Sequence, residues 1–219
     1  LLRGEYGSSL KNSVIGAIFS HCKTSSVLIP FISALGHLEI YDSLSAGSRA
    51  ALVPLLQEKN FVKHAIIQEA GTHCRTLYLV LEGAARIFYY QDEKEVTEYF
   101  AFAGELIIRA ESLLTGAPTR KAIEALEDSR VLAIDAARLF ALFNKHPELE
   151  RLYRKMLEKA FVHALGRIES LQFKSATERY LELLEQTEIV KRIPLRHVAS
   201  YLGITQVSLS RIRASLGKA

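Results

Sequence analysis

Between Phe61 and Asp135 the apolar residues come in short runs: FVKHAIIQEAG, LYLVLEG, AARIFYYQ, VTEYFAFAGE and SRVLAID. These runs are rich in Val, Ile, Tyr and Phe, and Gly71, Gly83, Asp92 and Gly104 punctuate them. Such a texture predicts the strands of an antiparallel sandwich or barrel. Ala85, Ile87 and Tyr89 alternate with Arg86, Phe88 and Tyr90, and both sets are fairly apolar. The segment Gly104 to Lys121 is too long for a hairpin turn. It contains AESLL, which predicts a single helical turn, and insertions of this length between strands often carry function.

On either side of the strand region the period changes from two to that of a helix. Residues 1 to about 58 read as mainly helical. Ser45 is the expected N-cap of LSAGSRAALVPLLQ, Leu52, Leu55 and Leu56 are expected on one face, and Pro54 is expected to bend or end the helix. From Pro147 to Phe173 a long helix is predicted. Tyr153, Leu157, Ala160, Ala164, Ile168 and Leu171 form its stripe, and Leu149, Leu152, Met156, Phe161 and Leu165 add apolar surface beside it. One apolar face docks a helix on its own domain, and a second asks for a second partner. Another copy of the same helix is the simplest such partner, so the stripe is the expected homodimer interface. After Ser175, TERYLELLEQT predicts a short amphipathic helix with Tyr180, Leu181 and Leu184 inward.

Two short helices fit PLRHVASYL and QVSLSRIRASL. Pro194 suits a first helical position. Gly203 stops the first helix, because glycine enters a left-handed turn without strain. Ile204 can fill the angle between the helices, and Thr205 is a good N-cap for the second. In that second helix Leu209, Ile212 and Leu216 recur at helical spacing and form its buried stripe. Gln206, Val207, Ser210 and Arg211 then project together from the opposite side, with Arg213 toward one flank. Gln pairs bidentately with adenine and Arg with guanine. A glycine turn between two helices, the second polar and cationic, is a helix-turn-helix arrangement.

Charge sharpens this reading. The chain of 219 residues has a formal charge of +4, but from Ile189 onward it carries +6 and no acid, and the remainder sums to −2. A basic end on a near-neutral body fits double-stranded DNA as partner. Two cysteines, Cys22 and Cys74, are too few for a disulfide framework or a four-thiolate cluster, and they fit a reduced, cytoplasmic setting. The longest apolar run, Val27 to Leu35, is too short to span a membrane. The first residues, LLRGEYGSS, lack a signal-peptide pattern, and residues 1–27 are set apart as an extension of open origin.

From about Leu28 to the end, the layout resembles the Crp/Fnr family of bacterial transcription regulators. The most specific stretch is VASYLGITQVSLSRIR, Val198 to Arg213, which is close to the Bacteroidetes-type branch, and EYFAFAGE and AIEALEDSRVLAI share that texture. The resemblance implies a cyclic-nucleotide-binding-like β-roll that senses, a long helix that couples two subunits, and a last helix that reads the major groove. It also implies RNA polymerase as a further partner. The family's DNA-reading positions fall on Gln206, Val207 and Arg211, with Ser208 and Ser210 near phosphates. Val207 stands where the best-known members have a glutamate, so a different operator is expected; a valine touches a thymine methyl but accepts no hydrogen bond. Phosphate contacts are expected from Arg196, Ser208, Arg213 and Lys218.

Cyclic-nucleotide binders of the family carry Gly-Glu about ten residues before Arg-Ser or Arg-Thr. The Glu holds a ribose hydroxyl and the Arg neutralises the phosphate. Here Thr119-Arg120 takes the second place in reversed order. Ala110, flanked by Arg109 and Glu111, stands ten residues before Arg120, and Gly104-Glu105 lies fifteen before it. Arg109, Glu111, Thr119 and Arg120 are therefore the candidate ligand set. A small-molecule effector other than cyclic AMP is expected, with a cyclic nucleotide as the alternative.

Other chemistry finds little support. None of the seven histidines forms a His-x-His or His-x3-His pair, and neither haem nor an iron–sulfur cluster is expected. No phosphate-cradling glycine loop or Gly-x-Ser-x-Gly elbow is present, so an enzyme is not expected. Glu124, Glu127 and Asp128 read as solvated loop charge. The tyrosines and phenylalanines at 89–90 and 99–100 read as packing. The expected fold is α+β: an antiparallel β-roll (28–146), a dimerisation helix (147–173) and an all-α helix-turn-helix unit (174–219). The expected function is a homodimeric, sequence-specific DNA-binding regulator. The alternative is a small-molecule sensor that acts through protein contact.

Overall fold

The computed structural model describes residues 44–186 and 188–217. The expectations for residues 1–43, including the extension, and for Lys218 lie outside the described residues. Helix α1 (Ala46–Leu52) is capped by Ser45, whose side chain accepts from the Ser48 N–H. Pro54 then tightens the chain into a 3-10 turn, Val53–Leu55. Leu56 does not share the helix face. It opens strand β1 (Leu56–Phe61), which begins five residues before the apolar run that suggested it.

The strands are β2 (Ile66–Gln68), β3 (Thr76–Glu82), β4 (Ala84–Gln91), β5 (Lys94–Phe102), β6 (Leu106–Ile107), β7 (Ala122–Ala125) and β8 (Ser129–Asp135). Helix α2 (Ala110–Thr115) sits between β6 and β7, as AESLL predicts. Two four-stranded antiparallel sheets result, in the orders β1-β8-β3-β6 and β2-β7-β4-β5. Gly83 joins β3 to β4 at φ 87°, where an added Cβ would collide with Ser129 and the Asp128 carbonyl.

Helix α3 (Ala136–Phe143) follows β8 of the first sheet, and α4 runs from Pro147 to Phe173 as the sequence predicts. Helix α5 (Ala176–Gln186), a 3-10 segment (Glu188–Arg192), α6 (Leu195–Tyr201) and α7 (Gln206–Leu216) complete the described chain. Pro194 stands one residue earlier than expected, as the N-cap of α6. In α5, Tyr180 is buried and Leu184 packs on the same core as expected, whereas Leu181 is exposed and Leu183 is buried in its place.

Alternation along the strands assigns side chains to three cores, because successive residues point to opposite faces. Tyr78, Val80, Ala85, Ile87, Ile123, Val131 and Ala133 fill the space between the sheets. Leu77, Leu79, Leu81, Leu132 and Ile134 point out of the first sheet and meet α1, α3 and the start of α4 through Leu52, Leu139, Leu149 and Leu152. Out of the second sheet, Ala84 and Phe100 share a core with Tyr180, Val198, Tyr201, Leu202 and Leu209. The apolar character of both faces of β4 follows from this: one side lines the roll, and the other meets the C-terminal helices.

Candidate nucleic-acid interface

Helix α7 is defined at its start by its own cap. Thr205 Oγ1 accepts from the Ser208 N–H at 3.1 Å and lies 2.9 Å from the Ser208 hydroxyl. The expected phosphate contact Ser208 is therefore half-buried and engaged within the cap. Gly203 precedes it at φ 69°, the left-handed conformation the sequence required. Leu209 is fully buried, with Ile212 and Leu216 packed against the same core. Gln206, Val207, Ser210, Arg211 and Arg213 are exposed, and Val207 is 61% exposed. They make an acid-free surface on α7. Arg196 is exposed on α6, and its Nε donates to His197 Nε2 at 3.3 Å.

The scaffold under this surface is held from two sides. Arg167 of α4 lies 3.8 Å from the centre of the Tyr201 ring and donates to the Tyr201 carbonyl at 2.8 Å. Arg179 of α5 donates from Nε to the Leu202 carbonyl at 3.1 Å. These two cations satisfy carbonyls that the end of α6 leaves without a helical partner. A groove of about 440 Å³ runs between α4, α5 and α6, lined by His163, Arg167, Lys174, Arg179, Glu182 and Tyr201.

On the roll side, the sequence reading missed a buried polar cluster. Arg86 of β4 is 2% exposed, and it donates from Nε to Glu124 Oε2 at 2.7 Å and from Nη1 to Glu95 Oε1 at 2.8 Å and Thr97 Oγ1 at 3.0 Å. Glu124 is not solvated loop charge: it is 6% exposed in β7. Only its neighbours behave more like the expectation, with Glu127 paired to exposed Arg192 and Asp128 accepting from the Lys63 N–H. Hydrogen bonding to Arg86 holds the Glu95 carboxyl below its usual range. His197 of α6 is fully buried, with Nδ1 3.1 Å from Glu95 Oε1. Burial and then the Arg86 charge push its pKa down to about 4, so the ring is neutral. The sequence signal was present in the lone Arg86 within an apolar strand, since a buried charge demands a partner.

Along α4, the residues expected at a dimer interface divide. Tyr153 packs inside its own chain, with its ring 5.3 Å from Phe140 and 5.7 Å from Phe143, so it belongs to the intrachain contact. Leu157 is half-buried, while Ala160 and Ala164 are exposed. Phe161, Val162, Leu165, Ile168 and Leu171 are each at least 40% exposed.

Residues 58–146 match the family model of the cyclic nucleotide-binding domain. The match spans most of the roll and helix α3. No curated protein is significantly similar to the chain. Among solved structures, FixK2 from Bradyrhizobium japonicum is 23% identical, with a TM-score of 0.64 over 74% of this chain and 85% of that one. The c-di-GMP-responsive global regulator CLP of Xanthomonas campestris is 17% identical, with a TM-score of 0.63 over 80% and 92%. A protein from Eubacterium rectale described as a transcriptional regulator of the Crp/Fnr family is 21% identical, with a TM-score of 0.64 over 81% and 85%. These likenesses give the fold, which is the Crp/Fnr architecture.

Within the roll, the four candidate ligand residues have different fates. Arg109 is 2% exposed and clamps loops: Nη1 donates to the carbonyls of Glu69 and Lys121 at 2.8 and 2.6 Å, and Nη2 to Thr72 Oγ1 at 3.2 Å. Thr119 is buried, and its backbone exchanges hydrogen bonds with Gly71 and Thr72. Glu111 and Arg120 are exposed on α2 and on the loop that follows it. Ten residues before Arg120, where the family's cassette places its ribose acid, the chain has Ala110, and the neighbouring Arg109 is committed to main-chain carbonyls. Among the described residues no cluster of His, Cys, Asp or Glu could hold a metal ion, and no helix is long and apolar enough to cross a membrane.

Proposed function

We propose that the chain is a sequence-specific, DNA-binding transcription regulator that works as a homodimer. The observation that carries this reading is the outward face of α7. Gln206, Val207, Ser210 and Arg211 stand exposed together on a helix whose opposite side is anchored by Leu209. A capped helix after a left-handed glycine, with base-reading side chains at its N-terminal end, has the form that enters a major groove. The related folds support it, since the CLP protein is a global regulator by its own description.

In this reading 28–146 is the sensor, 147–173 the dimerisation helix and 174–219 the DNA-binding unit. The dimer face on α4 is built from Leu157, Ala160, Phe161, Ala164, Leu165, Ile168 and Leu171, with Tyr153 left to the intrachain core. Two copies would present α7 helices to successive major grooves about 34 Å apart. Arg196 and Arg213 supply phosphate contacts, and Val207 selects a thymine methyl in place of a hydrogen-bonded base. The effector of the roll is a small molecule other than cyclic AMP, because Ala110 stands ten residues before Arg120, where the ribose acid would be, and the neighbouring Arg109 is taken up by main-chain carbonyls. Contact with RNA polymerase belongs to the same reading.

Selection of duplexes from a random library by the purified protein tests it. Enrichment of a near-palindromic site with half-sites about ten base pairs apart is expected. Enrichment of no sequence over the starting pool would overturn the reading and favour output through protein contact.

A further inference from the structure

The contact between α6 and the second sheet is unlike the rest of the core it belongs to. Around an apolar patch of Ala84, Phe100, Val198 and Tyr201 it buries a network of charges. The network is continuous. His64, half-exposed in the turn between β1 and β2, has Nδ1 2.9 Å from Glu124 Oε1. Arg86 joins Glu124 to Glu95 and Thr97, and Glu95 faces His197. Arg196 Nε donates to the far nitrogen of the same imidazole. The neutral ring therefore carries its proton on Nδ1, yet Nδ1 makes no well-aligned hydrogen bond. The centre of this contact is its least satisfied point.

A second feature ties the backbones together. The β4–β5 register shifts between Ile87 and Phe88, which pair with Tyr99 and Thr97, so β5 carries an extra residue there. Beside this bulge the Thr97 N–H donates to Ser200 Oγ at 2.9 Å, and that hydroxyl donates to the Glu95 carbonyl at 3.1 Å. A strand irregularity in the roll thus receives a side chain from the first helix of the helix-turn-helix. Bulges re-aim strands at places of this kind.

We propose that this contact is a proton-sensitive latch: with His197 neutral and seated against Glu95 and Arg86 it holds α6, and with it α7, in a fixed direction on the roll, and acid releases it. The groups facing His197 are Arg86 from β4, Glu95 from β5, Glu124 from β7 and Arg196 from α6 itself. A released His197 regains its ordinary pKa of about 6.5. The docked form has the lower pKa, so docking is fully favoured above about pH 6.5 and weakens as pH falls toward 4. Glu95 acts in the same direction only through Arg196 of α6, which adds to the larger effect of Arg86 in keeping it ionised. Between pH 7.5 and 5.5 the ratio of docked to released forms should drop about tenfold. The consequence for DNA rests on the reading of α7 given above, whereas the latch itself does not.

Hydrogen exchange of the full chain, free of DNA and corrected for the intrinsic pH dependence of exchange, reads the latch directly. Protection of peptides covering Lys94 to Phe102 should fall about tenfold from pH 7.5 to 5.5 while peptides of β3 and β8 keep theirs. His197→Gln should make the β5 protection independent of pH. Ser200→Ala should lower it at every pH with the slope intact, which keeps the test alive if His197→Gln does not fold. A wild-type protection that ignores pH, or a loss shared equally by β3 and β8, overturns the latch. No duplex enters this measurement, so a protein that shows the slope but binds no DNA would refute the regulator reading alone.

Discussion

Arg86 and Glu124 lie side by side beneath α6, with the guanidinium Nε donating to the carboxylate at 2.7 Å and neither side chain more than 9% exposed. Their partner set crosses from the roll to the C-terminal helices through Glu95 and His197. A pair of this kind contributes little net stability when complete and costs much when broken, because the surviving charge stays buried.

Glu124→Ala should therefore destabilise the protein by about 3–5 kcal/mol in urea unfolding. Replacing Arg86 and Glu124 together with Met and Leu should recover a large part of that loss, since no uncompensated charge remains at this pair. Equal losses in the single and the double variant would mean that packing, not charge, dominates the site.

Thr205 holds the first turn of α7 through the Ser208 N–H. Thr205→Ala should lower stability by about 1 kcal/mol, and Thr205→Ser should cost only a few tenths of that. Thermal unfolding followed by circular dichroism gives the comparison. A Ser variant as unstable as the Ala variant would show that the threonine methyl, not its oxygen, matters.

The apolar side of α4 left uncovered by its own chain includes Phe161, Leu165 and Ile168, with the small Ala164 between them. Ala164→Glu should convert a dimer into a monomer in sedimentation velocity. The intrachain face around Leu149, Leu152 and Tyr153 is untouched by it, so the far-ultraviolet spectrum should not change. A dimer that survives the substitution places the interface elsewhere on the chain.

The local parts of this architecture were open to reading. The bounds of α4 and α7 follow from Pro147, Thr205 and the spacing of Leu209, Ile212 and Leu216, which are signals carried within a few residues. On α5, Tyr180 and Leu184 pack inward as their spacing predicts, but Leu181 and Leu183 flank that stripe on either side and only the docked neighbours select Leu183. The polar latch was illegible for a different reason. Thr97 and Ser200 are 103 residues apart, and nothing near either one announces the other. Glu124 looked like part of an acidic loop with Glu127 and Asp128, and only its place in β7 opposite Arg86 reveals a buried carboxylate. Arg109 invited a ligand role by its position in the cassette, while its hydrogen bonds go to the carbonyls of Glu69 and Lys121.

If the outward face of α7 reads DNA, Arg211 is the side chain whose loss should separate specific from non-specific binding. Fluorescence anisotropy of the wild type and Arg211→Ala on the selected duplex and on random duplex, from low to moderate salt, is the measurement. Binding should weaken with salt. Arg211→Ala should lose about 1–3 kcal/mol on the selected site and little on random DNA. Equal losses on both duplexes, or no salt-dependent binding to either, would contradict that role for α7.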